Sequence, residues 1–226
     1  MKAVSTIRAG LLAAAALLTN GAASGGWNQT VAETASGTHV LGNPAAKVKL
    51  TTFVSYTCPH CAQFETEAEA PLRLSYVAPG KLSIEVRHVV RDPVDLTAAM
   101  LTNCGAKEKF FLNHAAFMRG QSRWIAPMGA ASAAQQQRWR NPDIGQRNRA
   151  IASDFGFYAI MASRGYDRPS VDKCLTDKAM EARLMKQSQE AVALGVRSTP
   201  GFAINGTVLV GTNEWALLRP QLDARF

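Results

Sequence analysis

From Val48 to Val54 polar and apolar residues alternate, Val48-Lys49-Leu50-Thr51-Thr52-Phe53-Val54, and the spacing predicts a strand over 47–55. Phe64, Ala68 and Leu72 then recur at helical spacing, which predicts a helix over 59–77. After a Pro79-Gly80 turn, Leu82-Ser83-Ile84-Glu85-Val86-Arg87-His88-Val89-Val90 reads as a second strand. Strand, helix and strand make a βαβ unit, so the chain is an α/β protein with a mixed sheet. From Asp92-Pro93 to about Leu194 only helical patterns follow, centred on 94–105, 107–119, 128–139, 143–164 and 170–193. Phe110, Phe111, Ala115 and Met118 mark one expected buried face, and Phe155, Tyr158, Ala159 and Ala162 another. Asn205-Gly206 between apolar runs predicts a hairpin over 201–211. Asn213 is the expected cap of a last helix that Pro220 limits. The order is βαβ, helical block, ββα.

The first residues change the picture of compartment. Met1-Lys2 and Arg8 precede the apolar run 9–18, and small residues follow at Gly21-Ala22-Ala23, the pattern of a secretory signal over 1–23. Residues 24–38 are polar and read as a linker. The expected division is then 39–92 and 195–226 for the sheet domain and 93–194 for an inserted helical domain. The formal charge of +8 is modest for 226 residues. Arg138, Arg140, Arg147 and Arg149 cluster around Trp139 and read as a solvated helix face, so no nucleic-acid partner is expected.

Candidate chemistry lies in Cys58-Pro59-His60-Cys61, placed between the first strand and the helix. A thiol reacts as its thiolate, and the free N–H groups and positive dipole end of a helix start stabilise an anion. Pro59 fits the first helical position, where its missing N–H costs nothing. His60 adds a donor, or a charge, beside the sulfur. Cys58 is therefore expected to be an exposed, low-pKa nucleophile and Cys61 the shielded resolving thiol. A structural zinc site needs four ligands, and no second C-x-x-C or H-x-x-x-H is present, so no metal or organic cofactor is expected. Cys104 and Cys174 stand apart; the even count in an oxidising compartment invites a bridge closing 70 residues, the alternative being two buried free thiols.

With Cys58-Pro59-His60-Cys61 and the distal Ser198-Thr199-Pro200, the chain resembles the thioredoxin superfamily, and more narrowly the DsbA-type periplasmic disulfide oxidoreductases, over about residues 38–222. Leu41-Gly42-Asn43-Pro44 is similar to the segment leading into the first core strand of many relatives. The resemblance implies a thioredoxin-like fold with an inserted helical domain. It also implies a cis Thr199-Pro200 bond facing the cysteines, with Pro59, Thr199 and Pro200 at the substrate. Two departures stand out. Many relatives carry a buried acid six residues before the first cysteine, where this chain has Thr52, leaving water or Glu85 to take the proton of the resolving thiol. The residue before the distal proline is Thr199, as in isomerase-like relatives, where the best-known oxidases carry valine.

The activity implied is donation of a Cys58–Cys61 disulfide to reduced exported proteins in the periplasm, with reoxidation by a quinone-linked membrane partner. Isomerase or reductase activity is the rival of the same class. Such relatives usually dimerise through an added N-terminal domain, and the short segment 24–45 favours a monomer. A copper chaperone on the same frame is the rival of another class; those usually carry C-x-x-x-C and a downstream histidine, against C-x-x-C and His88 here.

Overall fold

A computed structural model describes residues 26–226; the segment read as a signal, 1–23, lies outside the described residues. Six strands form one sheet: β1 (Val31–Glu33), β2 (His39–Gly42), β3 (Val48–Val54), β4 (Leu82–His88), β5 (Gly201–Ile204) and β6 (Thr207–Val208), in the order β1-β2-β4-β3-β5-β6. β3 and β4 run parallel, Val48 opposite Leu82 and Val54 opposite His88; the other neighbours are antiparallel. Parallel neighbours need a crossover. Helix α1 (Pro59–Pro71), continued by a π-helical stretch over Leu72–Val77, supplies it.

Alternation along β3 divides the core into two layers. Thr52 and Val54 face Cys61, Phe64 and Leu72 on the α1 side. Phe53 faces the opposite way, packing with Ala191, Val196 and Ala203. Between β4 and β5 in the chain come α2 (Pro93–Thr102), α3 (Phe110–Trp124), α4 (Pro127–Ala130), α5 (Ala133–Arg138), α6 (Ile144–Asp154), α7 (Phe157–Ser163), α8 (Arg168–Leu175) and α9 (Lys178–Ala193); α10 (Trp215–Asp223) closes the chain. α2 is buried from Val94 to Thr102, because α3, α6, α8 and α9 surround it. α9 packs on β4, and α1 against α3 and α10.

Several expectations shift. The stretch read as a linker, 24–38, contributes β1, a three-residue strand too short to leave an alternation signal, joined to β2 by a turn in which Thr34 N–H donates to the Thr38 carbonyl. The helix expected over 143–164 is two helices, since Gly156 adopts φ +69°. That break resets the helical phase, so Phe157 and Met161 are buried while Ala159 and Ala162 are exposed. Likewise 170–193 divides where the Asp177 side chain accepts from Met180 N–H and starts α9. Glu214, not Asn213, occupies the N-cap of α10, and Pro220 lies inside that helix. The hairpin turn falls at Asn205 (φ +50°) and Gly206 (φ +83°). Arg138 and Arg147 pair with Asp154 and Glu181. Among the described residues no helix is long and apolar enough to cross a membrane.

Candidate active site

β3 ends at Val54, and the chain turns through Ser55, Tyr56 and Thr57 before Cys58 caps α1 with extended backbone (φ −89°, ψ 117°) and Pro59 takes the first helical position. The turn is held by acids from the other side of the β4–α2 junction. Asp95, buried in the first turn of α2, accepts from Ser55 Oγ (2.6 Å), Tyr56 N–H (2.7 Å) and Arg91 N–H (3.0 Å). Asp92, the N-cap of α2, accepts from Thr57 Oγ1 at 2.7 Å. From α3, Gln121 Nε2 donates to the carbonyls of Tyr56 (2.6 Å) and Cys58 (2.9 Å). The Tyr56 hydroxyl donates to Thr102 Oγ1 and lies 2.8 Å from His114 Nδ1.

Both cysteines are reduced, and both are buried, Cys58 with 3 % and Cys61 with 2 % of its surface exposed. The expectation of an exposed Cys58 is corrected: the residue is buried, it lines a depression together with Ser198 and Thr199, and its sulfur lies against the Thr199 carbonyl. In its protonated form Cys58 donates to the Thr199 carbonyl at 3.1 Å. The Thr199–Pro200 bond is cis, and Pro200 is buried beside exposed Ser198.

The two thiols are pushed apart electrostatically. The Cys61 thiol donates to the Cys58 sulfur, and the Thr199 hydroxyl and the backbone N–H groups of Cys61 and His60 add to it, which against desolvation lowers Cys58 to about 4. Burial, together with the anion at Cys58, raises Cys61 well above the ordinary thiol range. His60 thus acts on the sulfur through its backbone N–H, while the residue itself lies exposed on the rim. A thiolate at a helix N-cap, with a protonated thiol beside it, can attack a disulfide; the oxidised pair can accept attack at the Cys58 sulfur.

Behind Cys61 is a cavity lined by Thr52, Phe64, Glu65, Ile84, Val86 and His114, among others. Glu65 Oε2 lies 3.6 Å from His114 Nε2, and Arg119 reaches Glu65 at 3.7 Å. The suggestion of Glu85 as proton acceptor is corrected by sheet alternation: Ile84 and Val86 face Cys61, so Glu85 points to the other side. There it accepts from Thr38 Oγ1 and Thr51 Oγ1 and pairs with Arg87. His88, weighed as a metal ligand, is buried, meets Asn103 at 3.0 Å, and burial lowers it to about 3. Cys104 and Cys174 form a disulfide between the end of α2 and α8, with Cα atoms 5.7 Å apart. The bridge therefore staples two parts of the helical insertion to each other.

Sequence reasoning passed over Gln121, Asp95, Glu65 and His114. Asp95 did leave a signal, a single acid within the apolar run 93–101. Gln121 left none.

A C-x-x-C pair at the start of the crossover helix of a mixed sheet defines the thiol–disulfide class of site. The sequence profile of the thioredoxin family matches residues 34–224, and the chain belongs to that family. It is 52 % identical to a crystal structure of protein-disulfide isomerase from Novosphingobium aromaticivorans, covering 84 % of this chain and 97 % of that one, with a TM-score of 0.81. Wolbachia pipientis alpha-DsbA1 shares the fold at 22 % identity and a TM-score of 0.65, over 82 % of this chain and 88 % of that one. A Rickettsia bellii protein, provisionally named a protein-disulfide oxidoreductase, is 27 % identical over 169 residues, 74 % of this chain and 56 % of its own length. The chain spans about half the length of the curated relatives it matches.

Proposed function

We propose that this chain is a protein-disulfide oxidoreductase that passes a Cys58–Cys61 disulfide to reduced exported proteins in the periplasm. One observation carries the reading: Cys58 sits at the α1 N-cap with its thiol lowered to about 4, and Cys61 beside it is raised. A substrate thiolate attacks the Cys58 sulfur; the Cys58–Cys61 bond breaks, and Cys61 leaves with the electron pair and takes up a proton. A second substrate thiolate attacks the substrate sulfur of the mixed disulfide and expels Cys58 as its stable thiolate. Two electrons have moved to the protein, and a quinone-linked membrane partner takes them away. Glu65 and His114 share the cavity with Cys61 and are assigned to move its proton. Thr199 and Pro200 border the substrate, and the protein works as a monomer.

Three pH units between a thiol at about 4 and neutral solution stabilise the reduced form by ~4 kcal/mol, or ~90 mV for two electrons. That favours donation over reduction. The name of the Novosphingobium relative favours isomerisation instead, in which reduced Cys58 attacks misplaced disulfides. Equilibration with glutathione separates the two: a potential near −120 mV supports the oxidase, and one near −270 mV overturns it. Reduced Cys61→Ala should attack the disulfide of an oxidised substrate through the Cys58 thiolate, release one substrate thiolate and accumulate the mixed disulfide, since no second thiol is present to resolve it; its absence would contradict exchange altogether.

A further inference from the structure

Two depressions adjoin beside Cys58, sharing His60, Ser198 and Thr199, and they carry opposite charge. One contains Cys58 itself, with Val89, Val192 and Val196 as apolar lining and the exposed residues Arg91 and Arg197. Val192 is 56 % exposed, an uncovered apolar contact in that arm. Neither Arg91 nor Arg197 enters an ion pair among the described residues. The nearest acid in the chain, Asp92, is occupied with Thr57 and the first N–H groups of α2. The other depression holds Glu67 and Glu214, both exposed and both outside any ion pair among the described residues, beside Gln63 and Asn213.

From this we infer that the cleft selects its substrate by polarity: an extended cysteine segment with an acidic residue on one side of its cysteine and a basic residue on the other. The inference rests on the exchange reading and adds a substrate class to it. Charges of fixed sign at both ends of a cleft orient a partner and speed its encounter more than they tighten it. Because all four groups are solvent-facing, each pairing is modest, and the two arms together should discriminate about five- to tenfold at low salt. A segment presented with reversed charges meets like charge in both arms. One orientation of charge about the cysteine is therefore preferred.

The test uses the full-length oxidised protein and two dithiol peptides of identical composition, one with Glu before and Lys after the attacking cysteine, the other reversed. The ratio of their oxidation rates is read, so any change in Cys58 reactivity cancels. A ratio of about five or more that shrinks in high salt, and that collapses toward one in the Arg91→Glu/Arg197→Glu variant, where both arms are acidic, supports the inference. A ratio within twofold, or one the double variant leaves unmoved, overturns it while leaving exchange intact. If neither peptide is oxidised, the exchange reading fails and this one falls with it.

Discussion

The side-chain amide of Gln121 donates to the carbonyl of Cys58 at 2.9 Å, so the helical insertion grips the backbone at the start of α1. The same nitrogen donates to the Tyr56 carbonyl, and both acceptors are buried. Gln121→Leu would leave two buried carbonyls without a donor, at a cost of about 2–3 kcal/mol. Denaturant unfolding of the variant checks this. Peptide oxidation should also slow, because the N-cap geometry of Cys58 is no longer fixed from α3.

Cys58 and Asp95 give opposite pH slopes. The Cys58 thiol ionises at about 4 when folded and near 8.5 when unfolded, so unfolding takes up a proton between those values. Its contribution to the reduced protein is complete above the unfolded value and is lost as pH falls toward 4. Burial raises Asp95 to about 7, above its unfolded value, so unfolding releases a proton and stability falls as pH rises from about 4 to 7. The oxidised protein, in which Cys58 does not titrate, should lose up to ~1.4 kcal/mol per pH unit across that window. The reduced protein should stay nearly level there. Unfolding of both forms between pH 4 and 7 checks this, and Asp95→Asn should flatten the oxidised curve.

Glu65 and His114 share the Cys61 cavity. Glu65→Gln should slow the attack of Cys61 on a mixed disulfide between Cys58 and glutathione by about tenfold or more near neutral pH. Raising the pH should recover part of the loss, which a purely structural defect would not do. Stopped-flow measurement of glutathione release across pH reads both effects.

The Cys104–Cys174 bridge closes 70 residues. Replacing both with alanine should destabilise the protein by about 4 kcal/mol in the chain-entropy account. The titration of Cys58 should be unmoved, since neither residue touches the exchanging pair. Thermal unfolding and thiolate absorbance together test this.

The central sheet was legible because β3 and β4 carry period-two and apolar runs, and because Asn205-Gly206 marks its hairpin by backbone chemistry alone. β1 was not, since three residues with two exposed positions show no periodicity. Helix breaks at Gly156 and Asp177 hid inside patterns that continue through them. The cysteine pair announces itself by spacing. Its setting does not: Gln121 lies 63 residues from Cys58, and Asp95 lies 40 from Ser55. Such contacts follow from how α2 and α3 pack against the α1 turn, which local patterns do not encode. Glu65 sits one helical turn beyond Cys61, but its partner His114 comes from α3.

Titration of the thiolate absorbance of the reduced protein, with Cys58→Ala as the blank, tests the account most directly. A single ionisation with its midpoint at about 4, lost in Cys58→Ala, is the result it requires. A midpoint near the ordinary thiol value of about 8.5 would contradict it, because the oxidised pair would then hold no excess tendency to be passed on.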